Sequence, residues 1–167
     1  MGFGILIPIL PTFASVQLGS SDFAIGFVVA VFSFTQIIFN PIFGQLSDRI
    51  GRRPVILGSL FLTGISYIIF AYSTTYFILL IARIIGGIGG SSISVAQAYI
   101  ADITTKETRV KGMGLIGTAF GLGFVFGPLI GGLLSEYGYA VVGFASASFS
   151  FFAFIMALFL LPESIIQ

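Results

Sequence analysis

One stretch of the chain decides the fold: Gly44-Gln45-Leu46-Ser47-Asp48-Arg49-Ile50-Gly51-Arg52-Arg53-Pro54, a short charged segment between two long apolar ones. It contains three of the seven Lys and Arg residues of the protein. Its two glycines permit turn conformations that a Cβ would obstruct, and its proline suits the first turn of a following helix, where the missing N–H costs nothing. The stretch therefore predicts a polar connection between two apolar helices.

The composition of the chain excludes a soluble globular domain. The residues are 57% hydrophobic and 8% charged, whereas soluble domains carry about 25% charged residues. In lipid every backbone N–H and C=O must be satisfied within the segment, so uninterrupted apolar runs of about 20 residues favour helices. We therefore predict an all-α polytopic membrane protein.

The absence of Cys and His from the sequence narrows the chemistry. Zinc sites, thiol nucleophiles and catalytic triads lose their usual residues, so we expect no enzyme, no metal site and no bound cofactor. The net charge is only +1, and the sequence shows no basic face of the kind that binds nucleic acid. No nucleic-acid partner is therefore expected.

Six apolar segments divide the chain. They cover residues 2–14, 23–43, 54–72, 76–100, 112–134 and 140–161. The first is too short to span a membrane, so either residues before Met1 are missing, which we favour, or this helix is a partial one. The short connections make consecutive helices antiparallel neighbours, which predicts a single six-helix transmembrane bundle over residues 1–167.

Positive charge is confined to alternate connections. The second and fourth hold six of the seven basic residues: Arg49, Arg52, Arg53, Lys106, Arg109 and Lys111. Because short loops rich in Lys and Arg stay in the cytoplasm, this pattern places both connections and both chain termini there. We expect an integral protein of the plasma or inner membrane.

The order Gly-x-Leu-x-Asp-Arg-x-Gly-Arg-Arg closely resembles the loop between the second and third helices of major facilitator superfamily transporters. The resemblance implies the N-terminal half of a fold in which two six-helix bundles enclose the substrate site, the second bundle coming from the same full-length chain or from a partner. It also implies a latch at the cytoplasmic ends of the bundles that helps to set the outward-facing state, formed here by Gly44, Asp48, Arg49, Gly51, Arg52 and Arg53. A basic loop that only sets topology would need the charge but not this order.

Arg83 is the only ionisable residue well inside an apolar segment, where a charge costs at least about 2.5 kcal/mol on insertion scales. Its helical face is small or polar: Gly86, Gly87, Gly90, Ser94 and Gln97. Such a face lets a neighbouring helix approach closely. The alternative is a cation that snorkels to the outer interface.

The same face resembles the span 4 motif that is implicated in proton coupling in the superfamily. Gly86 stands where that motif commonly has glutamine, which weakens a detailed relay. The resemblance implies five candidates for coupling or for lining the cavity: Arg83, Gly87, Gly90, Ser94 and Gln97. Gln36 and Asn40 in the second span are weaker candidates.

The fifth span carries a six-residue pattern: Gly114, Gly123, Gly127, Pro128, Gly131 and Gly132. Three of its glycines recur every four residues and make a groove for close helix packing, and Pro128 should bend the helix. The pattern resembles the signature of drug:proton antiporters. A generic small-residue interface would leave Gly114 and the Gly-Pro pair unexplained.

Weaker resemblances agree with this interpretation. Residues 4–11 resemble the outer end of span 1 in drug antiporters, and residues 161–164 resemble the usual exit from span 6. Tyr99 to Asp102, followed by Arg109 and Gly112, resemble the passage from span 4 to span 5.

Together these features predict a transporter that exports small amphipathic molecules or drugs by alternating access, in antiport with protons and with the proton gradient as its energy source. Its expected partners are the small-molecule substrate, membrane lipid and a second six-helix half. Two alternatives remain: a metabolite or sugar symporter of the same fold, and a truncated, non-transporting half that needs a partner chain. All six acidic residues lie in connections or at span ends, so the sequence assigns no proton-carrying carboxylate.

Overall fold

The computed structural model describes the backbone of residues 2–164 and the side chains of residues 4–164. This part of the chain is helical, without β-strands, as predicted. The helices are α1 Gly2–Val16, α2 Asp22–Ile50, α3 Arg52–Ala71, α4 Tyr76–Gly89, α5 Ile93–Ile103, α6 Arg109–Ser135 and α7 Tyr139–Leu160. A 3₁₀ turn, Gly90–Ser92, joins α4 to α5, so these two helices form one span.

Five helices in the described residues are long and apolar enough to cross a membrane: α2, α3, the combined α4 and α5, α6 and α7. The 15 residues of α1 are too few for a spanning helix. Local capping starts two of the spans, because the hydroxyl groups of Ser21 and Thr75 accept hydrogen bonds from the backbone N–H groups of Ala24 and Ile78.

The predicted connection at residues 44–54 is wrong in its extent. Helix α2 continues to Ile50 and α3 begins at Arg52, so Gly51 alone separates them. Gly51 has a φ of +104°, whereas Gly44 lies inside α2 and forms no turn. Asp and Arg are compatible with a helix that extends into water, so charge marks the edge of the membrane and not the end of the helix. Arg109 and Lys111 likewise lie in the first turn of α6.

The helices pack in a defined set of pairs. Helix α3 contacts both α7 and α4, α1 lies against α6, and α2 lies against α4. Buried side chains of α1 form much of the core: Ile5, Leu6, Ile9, Leu10 and Phe13. The Phe13 ring meets the rings of Phe70 and Tyr139 at centroid distances of 5.0 and 5.2 Å, which joins α1 to α3 and α7.

Large apolar side chains also cover the outside of the bundle. Phe23 and Phe159 are exposed, together with many residues of α6, including Leu115 and Leu129. On a soluble monomer so extensive an apolar surface would promote aggregation, whereas lipid chains solvate it. The outer surface therefore agrees with an integral membrane protein.

Candidate functional site

A cavity of about 590 Å³ lies among the helices of the bundle. Aromatic side chains of three helices form much of its wall: Phe70, Phe120, Phe149 and Phe152. Its polar side chains include Gln36, Thr63, Ser66, Tyr67 and Arg83. An apolar cavity of roughly 300 to 1,000 Å³ with a few polar groups is typical of small-molecule sites. Within residues 2–164 no group of three His, Cys, Asp or Glu residues could hold a metal ion.

Among the described residues that line this cavity, Arg83 contributes the only charged side chain. It is 5% exposed, and its guanidinium carbon lies 4.2 Å from the centre of the Phe32 ring, a cation–π contact. Its buried Nε has no hydrogen-bond partner. The side chain therefore points into the bundle, which contradicts the alternative that it snorkels to the membrane surface.

The small face of span 4 packs closely against α2. A Cβ at Gly87 would lie 2.7 Å from the carbonyl oxygen of Phe32 and 2.8 Å from the Cβ of Thr35, so only glycine allows this approach. The side-chain amide of Gln36 donates to the carbonyl oxygen of Gly90 at 3.0 Å. The close helix approach that the sequence predicted at this face is thus present.

The predicted cavity residues separate into two groups. Arg83, Gly90 and the weaker candidate Gln36 line the cavity. The other four do not line it. Gly87 packs against α2, Ser94 donates to the backbone carbonyl of the weaker candidate Asn40 at 3.3 Å, and Gln97 is exposed. The predicted face runs along span 4 from Arg83 to Gln97, and different neighbouring elements cover its successive turns. The cavity therefore contacts only part of this face.

The sequence reading missed the 3₁₀ turn at Gly90–Ser92 in the middle of span 4. The run Gly-Gly-Ile-Gly-Gly at residues 86–90 could have indicated this turn. Glycine destabilises the interior of a helix and has no side chain that could pack there. The hydroxyl of buried Ser91 donates to the carbonyl oxygen of Gly87 at 2.8 Å. A short 3₁₀ segment inside a helix often marks a hinge.

A polar group lies at the N-terminus of α3, outside the cavity. It is named here the Arg52 cluster and comprises Ser47, Asp48, Arg52, Asp102 and Glu163. The Nη1 atom of Arg52 forms an ion pair with Asp48 at 2.6 Å and donates a hydrogen bond to the Ser47 hydroxyl at 2.7 Å. Its Nε donates to Asp102 at 3.0 Å. One side chain thus joins α2, α3 and α5.

Glu163 completes this cluster from beyond the end of α7. Its carboxylate accepts from the backbone N–H groups of Arg52, at 2.9 Å, and Arg53, at 3.3 Å. These are orphan donors of the α3 N-terminus, for which the preceding Gly51 has no capping side chain. The hydroxyl of Tyr99 donates to the carbonyl oxygen of Pro162 at 3.1 Å and so holds the segment that follows α7 in place. The sequence placed Asp102 and Glu163 in connections or at span ends, within segments that resemble the family, and their contacts with Arg52 were not predicted.

A double-mutant cycle should separate the two ion pairs of Arg52. We expect a coupling free energy of about 1 kcal/mol between Arg52→Gln and Asp102→Asn, and a smaller one between Arg52→Gln and Asp48→Asn. The reason is solvent screening, since the Asp102 side chain is 30% exposed and that of Asp48 is 61% exposed. Thermal unfolding in detergent measures both cycles. A larger coupling to Asp48 would contradict this expectation.

The glycines of the span 5 pattern, in α6, also form two groups: some pack against α1 and others have open space around them. A Cβ at Gly127 would lie 2.6 Å from the carbonyl oxygen of Gly4, and one at Gly131 would lie 2.7 Å from that of Ile5. Gly123 also meets Gly4, so the three glycines spaced by four form the predicted groove, and α1 fills it. Gly114 and Gly132 have open space around them. Pro128 lies within α6, which continues past it.

Comparisons with known proteins agree with this architecture. The family model described as Major Facilitator Superfamily matches residues 1–165. The chain is 37% identical over 166 residues to the class B tetracycline resistance protein of Escherichia coli, covering 98% of this chain and 41% of that protein. It is 38% identical over 164 residues to multidrug resistance protein 1 of Bacillus subtilis, covering 98% and 42%.

A solved structure has the same fold. The crystal structure of the human organic anion transporter MFSD10 superposes with a TM-score of 0.83 and 28% identity, over 99% of this chain and 45% of that one. The chain spans about two fifths of the length of the two resistance proteins described above. Its helix bundle fits an N-terminal half of their fold. The all-α bundle, the packed glycine faces and the match over nearly every residue together show that this chain belongs to the major facilitator superfamily.

Proposed function

We propose that this chain forms the N-terminal half of an efflux transporter that exports small amphipathic molecules in exchange for protons. The observation that carries the proposal is an apolar cavity beside a buried cation, in a chain that resembles tetracycline and multidrug resistance proteins over 98% of its length. In this proposal the cavity is one wall of the substrate site, and a second six-helix half supplies the other. Alternating access exposes the site to each side of the membrane in turn.

The Arg52 cluster is the proposed latch. Positive charge around Gly51 and before α6 favours a cytoplasmic location for this end of the bundle and for both termini, in the plasma or inner membrane. Because Arg52 joins three helices by hydrogen bonds, movement of α2 against α5 would have to break at least one of them. The latch role of Gly44, Arg49 and Arg53 rests on the resemblance of the motif.

Arg83 is the proposed coupling residue. It is buried beside the cavity, and the acidic residues of the described chain lie in connections or within the end turns of helices. A cation in this position favours the ionised form of any acid that approaches it, so substrate or proton binding nearby would be sensitive to its charge. The proton gradient is the energy source, and no cofactor takes part.

Proton exchange can be tested in inverted membrane vesicles that contain the natural full-length protein. With an acidic interior, we expect uptake of ethidium and tetracycline that stops when nigericin collapses the pH gradient. We expect Arg83→Ala to abolish gradient-driven uptake at equal membrane abundance, whereas Lys111→Gln, which removes an exposed positive charge outside the cavity, should leave it unchanged. Uptake that persists without a gradient would contradict proton exchange.

The second half can be tested by the size of the natural product. An N-terminal tag on the chromosomal copy should report a protein at least roughly twice as long as this chain, as expected for paired bundles. A product of the same length as this chain would instead require two chains to enclose the site. Crosslinking between copies would then decide whether they associate.

A further inference from the structure

Helix α2 and span 4 are parallel and keep one register. The side-chain amide of Gln36 donates to the carbonyl oxygen of Gly90 at 3.0 Å. One turn further along both helices, the hydroxyl of Ser94 donates to the carbonyl oxygen of Asn40 at 3.3 Å. Both hydrogen bonds join residues that are 54 positions apart in the chain. The same turns of the two helices therefore face each other from the middle of the bundle onward.

This register continues to the end of the bundle that carries the Arg52 cluster. Asp48 of α2 and Asp102 of α5 are also 54 positions apart, and both form ion pairs with Arg52. Along its length α2 packs against α4, the 3₁₀ turn and α5. Residues 40–50 and residues 93–103 are thus two neighbouring half-helices that polar contacts join at both ends.

Both helices have a break in their hydrogen bonding at the start of these half-helices. In span 4 the break is the 3₁₀ turn Gly90–Ser92. In α2, Pro41 has no N–H group to donate to the carbonyl oxygen of Ile37, four residues before it. In the register of 54, residues 37 and 41 lie opposite residues 91 and 95, so the two breaks are at the same level. Prolines and short 3₁₀ segments are both places where helices bend.

The other end of this helix pair is loosely connected to the rest of the bundle. Gly51 alone separates α2 from α3, and its φ is +104°. Helix α5 ends at Ile103, and α6 begins only at Arg109. Arg52 reaches both half-helices through a long, flexible side chain. The two half-helices are therefore free to turn together while α3 and α7, which pack on each other, stay in place.

We propose that residues 40–50 of α2 and residues 93–103 of α5 move as one unit, named here the α2–α5 flap, which pivots about Pro41 and the 3₁₀ turn. The inference rests on the proposed function, because it names the part of this bundle that moves during alternating access. Arg52 binds both half-helices, so movement of the whole flap preserves two ion pairs. Movement of α2 alone would break one of them.

The pivot also forms part of the cavity wall. Gln36, Gly90 and Ser92 line the cavity. The hydrogen bond from Gln36 to Gly90 crosses between the two helices at the level of the 3₁₀ turn. A molecule in the cavity contacts this bond directly, which couples the occupancy of the cavity to the position of the flap.

The test measures distances between nitroxide spin labels in the full-length protein in lipid nanodiscs, at acidic and at alkaline pH, with and without tetracycline. One label pair, at Leu46 and Ile103, lies within the flap. The other pair, at Leu46 and Leu160, joins the flap to α7. All three side chains are exposed, so cysteine substitution and labelling should not disturb the packing. Residues 1–167 contain no cysteine, and any cysteine elsewhere in the natural protein is replaced by serine.

We expect the distance between the flap and α7 to change by about 5 Å across these conditions, since a bend of about 20° displaces the end of an 11-residue helix by this amount. The distance within the flap should change by less than half as much. Distances that stay constant under all conditions would overturn the proposal. A change within the flap as large as the change against α7 would overturn it as well.

Two substitutions test the pivot itself. Pro41→Ala supplies the missing N–H group, so it should reduce the change in distance between the flap and α7 at least about twofold. Gln36→Leu removes the hydrogen bond to Gly90 and should broaden the distribution of this distance. Pro11→Ala replaces an exposed proline within α1 and is the matched control, which should leave the change as in the wild type. A full change in folded Pro41→Ala would overturn the pivot, and the wild-type distances test the flap even if this variant does not fold.

These distances need no proton gradient, so they are independent of the exchange assay. Gradient-driven ethidium uptake with a constant distance between the flap and α7 would keep the proposed efflux function and overturn the flap, because the bundle would then move as one rigid body. A flap that moves in a protein without gradient-driven uptake would keep the inference and overturn proton exchange.

Discussion

Gly127→Ala is expected to lower the free energy of unfolding by about 2 to 3 kcal/mol, although alanine is the better helix former. Its Cβ would lie 2.6 Å from the carbonyl oxygen of Gly4 and 2.7 Å from the Cα of Gly4. These are backbone atoms and cannot rotate away, so α1 and α6 would have to separate along the groove. Thermal unfolding in detergent measures the loss.

Gly132→Ala is the matched control, because it belongs to the same six-residue pattern on the same helix and has no atom within 4 Å of the added Cβ. We expect its unfolding temperature to equal that of the wild type or to exceed it slightly. If both variants lose stability equally, contact with α1 does not explain the glycine at position 127.

Gly51→Ala should cost a similar amount at the other end of the bundle. A backbone with φ +104° and ψ 154° is essentially reserved for glycine, and forcing alanine into it costs about 1 to 3 kcal/mol. The new Cβ would also lie 2.5 Å from a carboxylate oxygen of Glu163, so it would displace the group that caps α3. Thermal unfolding should show the loss, and hydrogen exchange at Arg52 and Arg53 should become faster.

Gly44→Ala provides the comparison within the same charged stretch. Gly44 lies inside α2 with open space around it, so alanine should be neutral or stabilise the helix by up to about 1 kcal/mol. A large stability loss at position 44 would mean that this glycine meets a surface outside residues 2–164. Retained stability with lost transport would instead favour a role in movement.

The sequence predicted the helical class because hydrophobicity in lipid leaves few choices for the backbone. It also predicted the groove of α6, since a spacing of four residues places Gly123, Gly127 and Gly131 on one side of a helix. It misplaced the boundary at Gly44, because two glycines look alike in a sequence and only φ distinguishes the one that turns the chain. The run of glycines in span 4 could have indicated the 3₁₀ turn, whereas the hydrogen bond from Gln36 to Gly90 joins residues 54 apart and no local pattern contains it.

The site was predictable in part. A lone arginine in an apolar span indicates a buried functional group by its cost alone. Which members of its helical face reach the cavity depends on the path of α2, which covers Gly87 and Ser94, whereas Gly90 lines the cavity beside the side chain of Gln36. Two partners of Arg52, Asp102 and Glu163, lie 50 and 111 residues away along the chain, so spacing could not reveal them.

The carboxylate of Glu163 reaches α3 across 111 residues of chain, and this has a consequence for biosynthesis. The N-terminus of α3 is made long before its cap. At about 5 to 20 residues per second, translation leaves the amide groups of Arg52 and Arg53 facing water for on the order of ten seconds before Glu163 is added. During that interval the nascent bundle is open at this rim. Glu163 follows α7, so the rim closes only after α7 has been made.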